Sequence, residues 1–225
     1  MYDKPLLSVA LARRIAPEKL IKETGAAAAR RLKLRLLPHT QAVRICRETR
    51  QLRTTRGTLR YDQLVLAHGA KASLPPALPA ALCWRINHLG AYLKLREALG
   101  DAATTGPKDV LIVGAGLIGS ELANDLALGG HRVTLLDVQG EPLARWHAAQ
   151  AGSQVLQAWK DLPIRFVGDV KVASVERLAL NAERLWHPQP AGTACAGQTT
   201  RLRITTECGQ HFAADEVIVA AGLQT

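Results

Sequence analysis

The sequence predicts an α/β fold with a parallel sheet, and three observations carry that prediction. Val110 to Val113 is a continuous apolar run, the composition a strand needs when both of its faces are covered. The run ends directly on Gly114, Gly116 and Gly119 in a G-x-G-x-x-G spacing. A helix-forming stretch from Leu117 to Leu128 then stops at Gly129 and Gly130, and a second apolar run, Val133 to Leu136, follows at once. Strand, glycine turn, helix and strand make one complete mononucleotide-binding half-unit of a three-layer, Rossmann-like domain.

The other elements follow in chain order. Lys4-Pro5 leads into LLSVALARR, a short amphipathic helix, and the Ala-rich stretch Thr24 to Leu32 reads as a second one. Leu34 to Leu37 reads as a short strand. Ala42 to Cys46, Gln51 to Thr55 and Thr58 to Arg60 read as meander strands joined by tight turns, Arg56-Gly57 among them. Tyr61-Asp62 introduces Leu64 to Ala67, expected to be a buried strand that ends in His68-Gly69. Pro75, Pro76 and Pro79 mark a linker, and a helix is expected from His88 to Leu99. Beyond the half-unit come a helix over His147 to Lys160, a strand over Ile164 to Val167, and an antiparallel excursion pairing Val170 to Leu180 with Leu202 to Glu207. Gln189 to Gln198 would be its exposed loop. The last strand, Glu216 to Ala221, ends on Gly222.

Each residue type in the glycine turn has a mechanical reason. Gly114 permits the tight turn, Gly116 lets backbone approach a pyrophosphate, and Gly119 lets the helix pack closely on the sheet. The helix N-terminus, with Leu117 and Ile118 in its first turn, then offers free N–H groups and a positive dipole end to phosphate. Asp137 closes the second strand eighteen positions after Gly119, where a carboxylate accepts from both ribose hydroxyls of NAD and repels the extra phosphate of NADP. Val138, Gln139 and Gly140 add no Arg for that phosphate, which favours NAD. The alternative is an ordinary βαβ unit in which Asp137 caps a turn.

With 48% apolar and 21% charged residues in 225, composition excludes a disordered or fibrous chain. Glu121 and Asp125 interrupt the apolar stretch, which excludes a membrane span there, and the opening residues lack the long uncharged run of a signal peptide. Cys46, Cys83, Cys195 and Cys208 form no C-x-x-C and no zinc spacing, so no metal site and a reducing cytoplasm are expected.

Two stretches point to a family. Tyr61 to Gly69, YDQLVLAHG, and Asp215 to Gly222, DEVIVAAG, each place an acid before an apolar strand that ends in a small-x-Gly turn. With the opening YDKPLLS, which is similar to a Y-x-K-P-x-L-S segment, and with GAGLIGSELA, the chain resembles FAD-dependent pyridine nucleotide-disulfide oxidoreductases of the rubredoxin and ferredoxin reductase branch. The resemblance implies hydride transfer from NADH to FAD and then electron transfer to a small acidic carrier such as rubredoxin or ferredoxin. It implies that Lys4 lies under the flavin edge and pairs with Glu121 near the nicotinamide. Pro5, Val43, Ala67, Gly69 and Gly222 join the glycine-turn residues and Asp137 as implied cofactor-binding positions.

The departures are equally specific. The family's first G-x-G-x-x-G, for FAD, does not occur here, nor do its Gly-Asp flavin segment and interface domain. The chain is therefore expected to be truncated at both ends, with residues 1–104 a remnant of the flavin domain plus linker and 105–225 the NAD domain. His68 stands where an A-T-G turn has Thr, and Lys71 where Arg is common. A redox cysteine beside the flavin is also missing, which sets aside the disulfide reductases. A non-catalytic NAD-binding module and a non-functional truncated product stay open beside the reductase.

Residues 30–60 hold ten basic side chains against the single acid Glu48, a net +9 of the chain's +10. The segment lacks the aromatic side chains that stack on bases, so nucleic acid is not expected. A solvated face, or a field that steers an acidic carrier, remains.

Overall fold

The structure, a computed structural model, describes residues 1–72, 75–145, 150–178 and 201–224. These divide into two units, one of residues 1–2 and 21–70 and the other of residues 3–20 and 71–225.

In the larger unit the helices are α1 (Leu6–Ala12), α3 (Leu89–Leu99), α4 (Ala102–Thr105), α5 (Leu117–Leu128) and α6 (Gln150–Ala158). Four parallel strands form the centre in the order β11 (Glu216–Val219), β5 (Asp109–Val113), β6 (Arg132–Leu136) and β7 (Ile164–Val167). Side chains alternate across this sheet. Val110 and Ile112 of β5 and Ile218 of β11 pack with Leu122, Ala123 and Leu126 of α5 and Leu95 and Leu99 of α3. Leu111, Val217 and Val219 point the other way, into a core shared with an antiparallel sheet of β10 (His211–Ala214), β9 (Leu202–Thr206) and β8 (Val172–Arg177). Both faces are thus covered, which is why β5 and β11 could be written as unbroken apolar runs. The second cover is a sheet: β9 alternates buried and half-buried positions, and β8 turns Val172 and Val175 into the same core. Trp84 of the linker extends the parallel sheet by one bridge, its N–H donating to Val217 O at 2.8 Å. β4 (Lys71–Ala72) pairs with β12 (Leu223–Gln224), two short strands that the sequence did not announce.

The smaller unit holds α2 (Gly25–Arg31), capped by Thr24 Oγ1 accepting from Ala27 N at 3.2 Å, and the meander β1 (Ala42–Cys46), β2 (Gln51–Thr54) and β3 (Gly57–Arg60). Two expected strands are corrected here. Residues 34–37 form none: Lys33 takes a positive φ and Leu34 N donates back to Ala29 O at 3.0 Å, so the start of the run closes the end of α2. Residues 64–67 form none either, and Val65 is 86% and Leu66 64% exposed. No described strand lies beside them to complete a ladder. Of the helix expected over 147–160, residues 147–149 lie outside the described residues, as do Leu180, Cys195 and the loop 189–198.

Candidate dinucleotide site

β5 delivers the glycine turn to the C-terminal edge of the parallel sheet. Gly114 N donates to Leu136 O at 2.8 Å, which ties the turn to β6, and its φ of +107 is one that glycine adopts without strain. A Cβ on Gly114 would lie 2.7 Å from Ala220 O, so the small-x-Gly turn after β11 presses directly on the glycine turn. A Cβ on Gly119 would lie 1.8 Å from Gly114 O. The first and third glycines are therefore required by protein packing alone. Gly116 differs: no atom lies within 4 Å of its Cβ position. It is the N-cap of α5 with no side-chain cap, and Leu117 and Ile118 behind it are about half exposed, at 50% and 46%. An open glycine before an uncapped twelve-residue helix is a cradle that fits a pyrophosphate, with the first-turn N–H groups as donors.

Asp137 sits beside this turn. One carboxylate oxygen accepts from Ala115 N and the other from Gln139 N at 2.8 Å. The residue expected to read the ribose therefore also holds the glycine turn in place. Ser120 Oγ donates to Ala115 O at 3.1 Å and Leu143 N donates to the same carbonyl at 2.8 Å. Ala115 and Ser120 were not singled out from the sequence, and Gln139 was read there only as adding no Arg.

The expected direct pair of Lys4 with Glu121 is not formed among the described residues, which is a correction. Lys4 Nζ donates to Asn87 Oδ1 at 2.7 Å, and Glu121 Oε1 accepts from Ser8 Oγ at 2.5 Å. Pro5 starts α1 as its N-cap, and α1 lies along α5 so that Ser8 meets Glu121; the linker residue Asn87 takes the lysine. Neither Ser8 nor Asn87 carries a sequence signal, because both pairings span long stretches of chain. Of the remaining positions, Val43 is the extra residue of a β-bulge and 64% exposed, and Ala67 and Gly69 are exposed. Gly69 and Gly222 have positive φ with open space at their Cβ positions. The smaller unit shows no strand, glycine turn and helix of its own among its described residues, so these positions do not by themselves form a flavin cradle.

A family model described as pyridine nucleotide-disulphide oxidoreductase matches residues 1–225. A nitric oxide reductase FlRd-NAD(+) reductase of Escherichia coli (strain SMS-3-5 / SECEC) is 29% identical over 223 residues, 99% of this chain and 52% of that one. Its counterpart in Klebsiella pneumoniae (strain 342) gives the same figures. The chain thus spans about half the length of the curated relatives it matches. Among solved structures, a covalent putidaredoxin reductase–putidaredoxin complex superposes with a TM-score of 0.77 at 24% identity, covering 99% of this chain and 49% of that one. A water-forming NADH oxidase from Lactobacillus brevis bound to NADH gives 0.76 at 19%, covering 99% and 45%. At these identities the two superpositions speak for the fold. No described helix is long and apolar enough to cross a membrane.

Proposed function

The chain belongs to the pyridine nucleotide-disulphide oxidoreductase family, and from that premise we propose that it is an NADH-dependent flavoprotein reductase, or the central part of one. The open cradle at Gly116 beside Asp137 carries the reading: it fits the pyrophosphate and ribose of NADH with this chain's own groups. Gly116 to Gly119 would receive the pyrophosphate and Asp137 the ribose hydroxyls. Residues 105–225 would be the NAD domain, and residues 1–104 would contribute to the flavin side through Pro5, Val43, Ala67 and Gly69. Bound FAD would accept the hydride and supply the one-electron chemistry. Lys4 and Glu121, held by Asn87 and Ser8, would frame the nicotinamide end and act on it by charge.

The electron acceptor proposed is a small acidic carrier of the rubredoxin or ferredoxin kind. The names of the relatives support this, and so does the meander. β1 and β2 place Arg44 directly opposite Arg53, and no ion pair engages either among the described residues. Such a face raises the rate of encounter with an acidic protein more than the affinity. The cytoplasm is the proposed location.

A second reading is favoured by the exposure of residues 65–67: an NAD-binding module that holds no flavin. Gel filtration of the purified chain after incubation with FAD separates the two. The reductase reading expects a yellow protein peak that NADH bleaches and that reduces a rubredoxin at a rate falling steeply with salt. A colourless peak that still binds NADH would establish the module instead.

A further inference from the structure

β6 and β7 end side by side, and the turns that follow them interlock. Asp137 N donates to Val167 O at 3.2 Å, Val170 N to Asp137 O at 3.0 Å, and Asp169 N to Gln139 O at 3.3 Å. The fit is close: a Cβ on Gly168 would lie 2.8 Å from both Gln139 O and Gly140 Cα. Asp169 stands in the second turn with a φ of +56, a left-handed conformation that Asp tolerates better than most non-glycine residues. Its carboxylate lies against Gly140, with Oδ2 at 3.1 Å and Oδ1 at 3.4 Å from the position a Cβ would take there. Asp137 holds the same turn by accepting from Gln139 N. The turn Gln139-Gly140 is therefore bracketed by two carboxylates, each just past the end of one of two neighbouring strands.

This turn follows the ribose carboxylate, the region where dinucleotide-binding folds place an Arg when they accept a 2′-phosphate. Here it carries no cation, Glu141 adds a further acid, and the first base along the segment is the exposed Arg145. We propose that Asp169 is a second specificity-determining residue of the site, setting negative charge against the 2′-phosphate of NADPH. The proposal rests on the reading that this site takes NADH. Asp137 discriminates by contact with the ribose hydroxyls, whereas Asp169 acts through its field, so its effect falls on NADPH alone and weakens as salt rises. Gly140 belongs to the same device, because a side chain there would displace the Asp169 carboxylate.

Calorimetric titration of the 225-residue chain with NADH and NADPH tests this. At low ionic strength Asp169→Asn is expected to tighten NADPH binding about threefold and Asp169→Lys about tenfold, the scale of a one-unit and a two-unit change of charge near a phosphate in a watery dielectric. NADH affinity should stay within about twofold in both variants, and the NADPH gain should shrink at high salt. An NADPH affinity that Asp169→Lys leaves unchanged while NADH still binds would overturn the role of Asp169 and spare the dinucleotide reading. Loss of NADH binding in Asp169→Asn would also overturn it, by making the residue a structural support of the turn. An unmodified chain that binds neither nucleotide would remove the dinucleotide reading and this inference together.

Discussion

Residues 61–69 and 215–222 carry one pattern and meet opposite fates. Both read acid, apolar run, small-x-Gly. Val217 and Ile218 of the second stretch are fully buried, paired in register with Leu111 and Ile112 of β5 and packed between two layers. Leu64 to Ala67 of the first pair with no described strand, and Val65 and Leu66 lie in solvent. The local preferences are alike, so the difference comes from the neighbour. A strand is completed by a second row of N–H and C=O groups and by apolar layers above and below, and only β11 finds them among the described residues. The same contrast separates the two sites. The glycine turn is held by protein packing and by Asp137, whereas Val43, Ala67 and Gly69 stay exposed.

The largest test of that contrast uses the glycines. Gly119→Ala would drive a methyl group into Gly114 O, so it is expected to cost at least about 4 kcal/mol, the range of gross steric overlap, and to abolish NADH binding. Gly69→Ala meets no atom and is strained only by its positive φ, so about 1 kcal/mol is expected. Urea unfolding of both variants measures the gap, and equal costs would break the comparison. The apolar residues give the next effect. Ile218→Ala is expected to destabilise by about 2–5 kcal/mol through lost burial and a cavity, against less than about 0.5 kcal/mol for Leu66→Ala on the exposed run. A Leu66→Ala cost approaching that of Ile218→Ala would mean that residues 64–67 are covered after all.

The smallest effect lies at the start of β11. Burial pushes the Glu216 carboxyl above the usual carboxylate range, partly offset by the Trp84 indole, whose Nε1–H donates to Oε2 at 2.5 Å, and by Lys108. A folded pKa above the unfolded one favours the protonated form, so this contribution is full below the unfolded value of about 4.5 and is lost as pH rises through the folded value. Glu216→Gln keeps an acceptor for Trp84 without the buried charge. Its melting temperature should exceed that of the unmodified chain at pH 7, and the two should converge near pH 4. A variant less stable at pH 7 would show the carboxylate to be worth more to Trp84 than its burial costs.

The sequence by itself determined the half-unit from Asp109 to Asp137. Its strand, glycine turn and helix are announced by residue types in one continuous stretch, and the observed helix runs from Leu117 to Leu128 as the pattern predicts. The meander strands and the approximate extents of α2 and α3 were legible for the same reason, since turn chemistry and helix propensity are local. What tertiary structure decided lies at longer range. Asn87 takes Lys4 and Ser8 takes Glu121, the two charges expected to pair with each other, because α1 and the linker arrive from distant parts of the chain. Asp169 reaches Gly140 only because β7 pairs with β6. Leu64 to Ala67 shows the limit from the other side: apolar spacing states that a segment can be a strand, and pairing, which no single segment contains, decides whether it becomes one.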